Sequence, residues 1–249
     1  MHRAVPGSQL VFRQLFDQTS CTYTYLIGDR ESGDAAIIDP VLSHTDRDLE
    51  LLEEVFKKPN LRYAVNTHVH ADHLTATGRM KKRIPDLESV LGAAGNEAAK
   101  ADVKVAEGNA LSIGRFSLTF LHTPGHTQGC HTLVLKDDAD RQLAFTGDTL
   151  LIRGCGRTDF QGGSSDELYD SVQQKIFTLD EDTILLPAHD YRGRTMSTVC
   201  EEKRYNPRLS KDKATFKSIM ANLNLQYPKQ IDRALPFNML CGLHEVPGE

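Results

Sequence analysis

The sequence predicts a mixed α/β (α+β) chain, with two mixed sheets flanked by helices in a single domain spanning residues 1–249. Three observations carry that expectation. Short runs rich in aromatic and β-branched residues recur near both ends of the first 150 residues. Between them lie longer stretches with apolar residues at three- and four-residue spacing. No repeat, low-complexity stretch or clear linker divides the chain. Periodicity alone supports mixed α and β. Two layers of sheet with helices outside them is the simplest way to bury such elements at this length.

The elements follow in order. Residues 10–16, 21–27 and 35–38 read as strands, the second ended by Gly28 and the third by Pro40. Their close spacing implies antiparallel pairing. Residues 46–58 change period, with Leu49, Leu52 and Phe56 on one helical face. Residues 61–66 return to strand. Residues 74–83 read as a helix with a basic face, ending before Pro85, and 97–102 as a short helix at best. Strands are expected at 116–121, 131–135 and 142–146. Residues 166–178 are helical, with Leu168, Val172 and Ile176 aligned. Residues 183–186 form a buried strand ending at Pro187, and 196–205 and 214–225 form C-terminal helices packed on the domain.

Composition narrows the function classes. Hydrophobic residues make up 39% and charged residues 25%, so a packed globular chain is expected. The net charge of −5 disfavours broad electrostatic binding of nucleic acid or anionic membrane. No apolar run reaches the roughly 18 residues of a membrane helix. Residues 1–7 lack an apolar signal core. The five cysteines are widely spaced, with no CxxC pair, which disfavours a disulfide framework and fits a reducing compartment.

Four clusters carry chemistry. The first is His68-Val69-His70-Ala71-Asp72-His73, directly after a strand. Extended chain places His68 and His70 on one face. Packing alone does not explain three imidazoles and a carboxylate within six positions, because burying them unpaired costs free energy. The others are Pro124-Gly125-His126, Gly147-Asp148-Thr149 and Pro187-Ala188-His189-Asp190. Each falls at a turn or strand end, so all four can converge at one rim of a sheet. Imidazole and carboxylate together suit zinc, iron or manganese, and these ligand types alone favour zinc.

In this order, the clusters resemble the metallo-β-lactamase superfamily. The resemblance implies an αββα sandwich with metal at one edge. Residues 147–161 (GDTLLIRGCGRTDFQ), together with Val11–Phe16, Pro187–Tyr191, Asn206–Leu209 and Asn222–Leu225, are similar to the persulfide dioxygenases, the mitochondrial sulfur dioxygenase family. Gly129-Cys130 also fits that family, where glyoxalase II proteins generally carry a histidine. The similarity runs from residue 11 to about 243.

That resemblance implies one Fe(2+) per chain, held by His68, His126 and Asp148, which would be the catalytic centre. Two imidazoles and a carboxylate leave three octahedral positions open. His70, Asp72, His73, His189 and Asp190 would orient ligands or tune polarity. Asp190 alternatively caps a turn. The implied substrates are glutathione persulfide and O2, with sulfite and glutathione as products. Arg157 and Tyr191 are the implied glutathione contacts. The competing role for Arg157 is an ion pair holding its loop, and for Tyr191 ordinary core packing. Cys130 and Cys155 fit either packing or a place near persulfide chemistry, with packing favoured for Cys155.

The alternative is a glyoxalase II-type thioester hydrolase with two zinc ions, since all seven ligands that enzyme needs are present. A non-enzymatic binding protein has no need of convergent ligands. A fused rhodanese domain is not expected. The compartment implied is the mitochondrial matrix for a eukaryotic source and the cytoplasm for a bacterial one. Oligomeric state is open, a homodimer being one option, and the Cys21, Tyr23 and Tyr25 face fits either an interface or the core, with the core favoured.

Overall fold

The first three strands form an antiparallel meander in the computed structural model, which describes residues 8–243. They are β1 (Leu10–Asp17), β2 (Thr22–Asp29) and β3 (Asp34–Ile38). β3 then pairs in parallel with β4 (Asn60–Val65), and the parallel run continues through β5 (Glu88–Gly92) and β6 (Val103–Val105). Parallel neighbours need crossover connections. α1 (Thr45–Val55) makes the first crossover and α2 (Thr77–Arg83) lies within the second.

The second sheet also has six strands. β7 (Ala110–Ile113), β8 (Phe116–His122), β9 (His131–Lys136) and β10 (Gln142–Gly147) are antiparallel neighbours. β11 (Ile184–Pro187) runs parallel to β10, and β12 (Ser197–Thr198) closes the edge antiparallel. The helices of this half are α3 (Ser165–Ser171), which runs into a π-helical turn at Val172–Ile176, then α4 (Val199–Tyr205) and α5 (Lys213–Ala221), whereas α6 (Ile231–Met239) returns to the first half and packs on Val69, Leu91 and Ala99.

Three apolar layers hold the sheets and helices together. Between the sheets, Tyr25, Ile27, Ile38 and Val65 of the first meet Leu118, Phe120, Leu133 and Phe145 of the second. Outside the first sheet, Leu26 and Ile37 pack on Leu52 of α1 and Met80 of α2. Outside the second, Ala144 and Leu185 pack on Leu168, Val172, Val199 and Phe216. Alternate residues of one strand thus serve opposite layers, as the two-residue period of a strand requires. This is an αββα sandwich.

Several elements differ from the sequence-based expectation. Residues 97–102 form turns, not a helix. Short strands β5, β6 and β7 appear where none was assigned. The 74–83 helix starts at Thr77, and the 196–205 helix starts at Val199 after the two-residue strand β12. The Thr198 hydroxyl caps α4 by accepting from the Glu201 amide, which sets that boundary. α5 ends at Ala221, so residues 222–225 are irregular. α6 was not anticipated because Pro236 sits inside it. Tyr23 and Tyr25 are buried in the core, and Cys21 is half-buried. The 1–7 stretch lies outside the described residues.

One rim carries the sequence clusters. The ends of β3, β4, β8, β10 and β11 lead to Asp39, His68, His126, Asp148 and His189 respectively. At that rim the sheets are also stitched together. The Tyr23 amide donates to the Ala188 carbonyl at 2.7 Å, and the Tyr25 hydroxyl donates to the Pro187 carbonyl at 2.7 Å.

Candidate metal centre

The floor of the site is built from the two strand ends of the first sheet. Asp39 takes a left-handed conformation (φ 50°), rare for a residue with a side chain. Its carboxylate thereby faces the turn after β4. It accepts from the Thr67 amide at 2.7 Å and from His70 Nε2 at 2.8 Å. The Thr67 hydroxyl donates to Asp39 Oδ2 at 3.0 Å and lies 3.1 Å from His68 Nδ1. From α6, the Asn238 amide donates to the His70 and His73 carbonyls at 2.8 and 2.7 Å. The turn carrying the three histidines is therefore held from below and from the side.

The candidate ligands fall into two groups. His68, His126 and Asp148 form one; His70, Asp72, His73 and His189 form the other. Within each, one donor atom per residue lies within 4.8 Å of the rest. The His68 and His70 rings are 4.1 Å apart, as their shared face predicts, yet they belong to different groups. In the first group the distal nitrogens are occupied: His68 Nδ1 meets Thr67, and His126 Nδ1 donates to the Arg157 carbonyl at 2.7 Å. That leaves both Nε2 atoms for a ligand. His126 Nε2 stands 3.5 Å from Asp148 Oδ2.

In the second group the donors bond to one another more closely. His73 Nδ1 is 2.9 Å from Asp72 Oδ2, and His189 Nε2 is 3.4 Å from the same oxygen. Thr22 lies 3.4 Å from Asp72, His73 and His189. His189 Nε2 is also 3.6 Å from Asp148 Oδ1, so the groups adjoin.

Among the described residues, His70 Nδ1, His73 Nε2, His189 Nε2 and Asp148 Oδ1 are buried without a hydrogen-bond partner. Buried polar atoms left unpaired are costly, and several aimed into one region fit a bound cation. Mixed imidazole and carboxylate donors suit a transition metal.

The electrostatics agree. Burial, reinforced by the neighbouring imidazoles His70 and His126, holds His68 well below the usual imidazole range. Burial does the same to His70, with His73 adding to it. Burial works against ionisation of Asp72, but His189 and His73 overcome it and keep the carboxyl well below its usual value. Asp148 is lowered likewise, chiefly by His189 and His126 against the burial penalty. Burial pulls His189 down, yet the Asp148 and Asp72 carboxylates carry it above its usual value. Neutral His68 and His70 beside ionised Asp72 and Asp148 are the protonation states that metal binding needs, while His189, held up by the two carboxylates, departs from them.

A cavity of about 590 Å³ opens over His126, Asp148, Asp72 and His189, walled by Arg157 and Tyr191. Tyr191 is 70% exposed, so it is not a core residue, and its ring stacks on His189 at 6.2 Å. The Arg157 guanidinium pairs with Asp159 at 2.6 Å, so the loop ion pair expected as its competing role is present. Asp190 accepts from the Arg192 and Arg194 amides at 2.8 and 2.7 Å, capping the turn after His189. None of the hydrogen bonds that its side chain makes here reaches a candidate ligand. Cys155 lines the cavity wall, but burial pushes its thiol up to about 11, and its sulfur packs 3.6 Å from Met220 Sδ. Cys130 is buried and pushed up to about 12. Both thiols are therefore poor nucleophiles at neutral pH.

Sequence reasoning passed over Asp39, Thr22 and Asn238. Asp39 had a signal, a carboxylate at a strand end before proline. Thr22 and Asn238 had none, because their partners are distant in the chain.

Known proteins share this fold and much of this sequence. The metallo-beta-lactamase superfamily profile matches residues 22–189. The mitochondrial persulfide dioxygenase ETHE1 of Mus musculus is 50% identical over 245 residues, covering 98% of this chain and 94% of its own length. The Homo sapiens enzyme of the same name is 50% identical over 241 residues, covering 97% and 92%. The crystal structure of ETHE1 from Myxococcus xanthus superposes with a TM-score of 0.86 at 46% identity, covering 93% of this chain and 99% of that one. Matching them in sequence over 97–98% of its length and in backbone over 93% of it, the chain belongs to the persulfide dioxygenase family of the metallo-β-lactamase superfamily.

Proposed function

We propose that the chain oxidises the terminal sulfur of glutathione persulfide with O2 and water, releasing sulfite and glutathione. It is an enzyme, a persulfide dioxygenase on the metallo-β-lactamase fold. The observation that carries the mechanism is the group of His68, His126 and Asp148, three convergent donors of which His126 and Asp148 line an open cavity. One ferrous ion per chain is assigned there. When bound, it supplies the electron chemistry with O2 that no side chain in the cavity possesses.

The residues do the rest. His68 stays neutral at physiological pH, because burial excludes its charged form, so a lone pair is always available. The Arg157 carbonyl fixes the His126 tautomer by accepting from Nδ1. Asp148 contributes negative charge, which favours a cation over a proton shared between imidazoles. His70, Asp72, His73 and His189 form the polar flank, with Asp39 and Thr22 holding their orientation. Arg157 and Tyr191 flank the cavity mouth as glutathione contacts. The guanidinium N–H groups that Asp159 and the Gln226 carbonyl leave free, together with the Tyr191 hydroxyl, match a tripeptide with carboxylates at both ends. A cavity of about 590 Å³ lies in the range of small-molecule sites.

The test begins with elemental analysis, then anaerobic loading with ferrous iron and glutathione persulfide, then oxygen. The reading expects O2 uptake with matching sulfite. It fails if the iron-loaded chain consumes no O2. The unpaired nitrogens of the second group favour one other reading, a two-zinc thioester hydrolase. About two zinc ions per chain with thioester turnover would select it. A homodimer belongs to the same proposal, with sedimentation of the metal-loaded chain as its check. The compartment proposed is the mitochondrial matrix in a eukaryote, after the mitochondrial relatives, and the cytoplasm in a bacterium.

A further inference from the structure

Arg157 holds the metal centre with its main chain while its side chain is itself held. Its carbonyl accepts from His126 Nδ1 at 2.7 Å. Its Nε and Nη2 donate to the two carboxylate oxygens of Asp159 at 2.6 and 2.7 Å, and Nη1 donates to the Gln226 carbonyl at 2.8 Å. The guanidinium also lies 4.6 Å over the Phe160 ring. Phe160 meets Tyr227 edge-on at 5.5 Å, and the Tyr227 hydroxyl donates to Asp232 of α6 at 2.8 Å. A two-pronged Arg–carboxylate pair fixes direction as well as distance.

The surrounding loop leaves little slack. A Cβ at Gly156 would come within 2.8 Å of the His126 ring, and one at Gly163 within 2.8 Å of the His126 carbonyl. Gln161 ties the same loop to the histidine turn, donating to the Val69 carbonyl at 2.9 Å. The path of residues 156–163 therefore decides where the Arg157 carbonyl sits. The angle of His126 follows from that carbonyl.

We propose that Asp159 is a positioning residue: acting through Arg157, it sets the carbonyl that aims His126 Nε2 at the metal. This rests on His126 being a ligand, as the proposed function has it. The Asp159 carboxylate is 56% exposed, so the pair adds little to global stability. Its contribution is geometric. Loss of an outer partner of a ligating imidazole typically weakens metal binding about 10–100-fold.

The experiment compares Asp159→Asn with Arg157→Lys in the full chain. Metal affinity is read without persulfide, by chelator competition for ferrous iron and by the visible spectrum of the cobalt(II)-loaded protein. Both variants are expected to bind iron about tenfold more weakly and to shift the cobalt bands. Melting temperature should stay within about 4 °C of the parent. With saturating iron, Asp159→Asn should lower kcat while KM for glutathione persulfide changes less than about twofold.

The opposite result is equally clear. If Asp159 merely occupies a cation meant for substrate carboxylates, its removal frees Arg157. KM then falls while iron affinity and cobalt spectrum stay unchanged, and the proposal is overturned. If Asp159→Asn does not fold, Arg157→Lys and Asp159→Glu carry the test, the latter expected to fall between parent and Asn in iron affinity; unchanged iron affinity in both overturns it. Failure of the parent to oxidise persulfide would refute the proposed function and leave this metal-binding comparison standing.

Discussion

The two ligand groups share a floor and almost a residue type, yet they are built differently. In the first, the atoms behind the imidazoles are neutral oxygens, Thr67 Oγ1 and the Arg157 carbonyl, and the closest donors stand 3.5 Å apart. In the second, Asp72 is drawn to 2.9 Å from His73 and 3.4 Å from His189, and Asp39 lies behind His70. The first group holds its donors apart and open to the cavity through His126 and Asp148. The second draws its carboxylate towards two of its imidazoles, yet leaves His70 Nδ1, His73 Nε2 and His189 Nε2 without a hydrogen-bond partner. The same side chains can thus be held apart or drawn around a carboxylate, depending on what stands behind each ring.

The largest test of this difference is to remove one member of each group. Asp148→Ala should abolish iron binding and lower turnover by more than about 1000-fold, since metal chemistry supplies several kcal/mol to the barrier. His73→Gln should keep the iron and lose about 10–100-fold. Loss of iron from His73→Gln, seen by elemental analysis, would erase the distinction.

Acid provides the next test, through a histidine outside both groups. His131 is buried, and burial pushes it down to about 4 from an ordinary value of 6.5. The folded state therefore prefers the neutral ring. Its stabilising effect is complete above pH 6.5 and is lost as pH falls towards 4, by at most about 3 kcal/mol. Urea melts of the metal-free chain from pH 7.5 to 4.5 should show this loss, and His131→Gln should flatten it. If the slope is unchanged in His131→Gln, the acid sensitivity belongs to the ligand groups instead.

The smallest expected effect is at Asp39, which meets the second group at His70 and reaches the first through Thr67. Asp39→Asn keeps the shape but weakens the acceptor for His70 and Thr67. Iron affinity should fall about tenfold, measured by chelator competition. No change would mean that the floor is set by Asn238 alone.

Much of this was legible in the chain. The clusters at His68–His73, His126, Asp148 and His189 stand out because unpaired burial of such groups is costly, so their density signals a site. The long apolar strands and the Leu168, Val172, Ile176 face follow simple periods. What was hidden has a physical reason in each case. β5, β6 and β7 have only three to five residues each, too few to show a period. α6 carries a proline that local rules count against a helix. The division of His68 and His70 between two groups depends on Asp39, brought close by a parallel strand pairing that no local pattern encodes. The pairing of Arg157 with an acidic loop residue was open as an alternative, and only side-chain geometry shows that it occurs, with Asp159.

The strand ends that meet at one rim have a further consequence. Reactive groups stand on loops, while the hairpin turn at residues 30–33 and its neighbours occupy the far end, on which no ligand depends. Evolution can lengthen or exchange a rim loop and change what the cavity admits without disturbing the sandwich beneath it. The same separation gives the engineer a choice of handles: a tether or reporter belongs at the far turns, and new selectivity belongs in the loops.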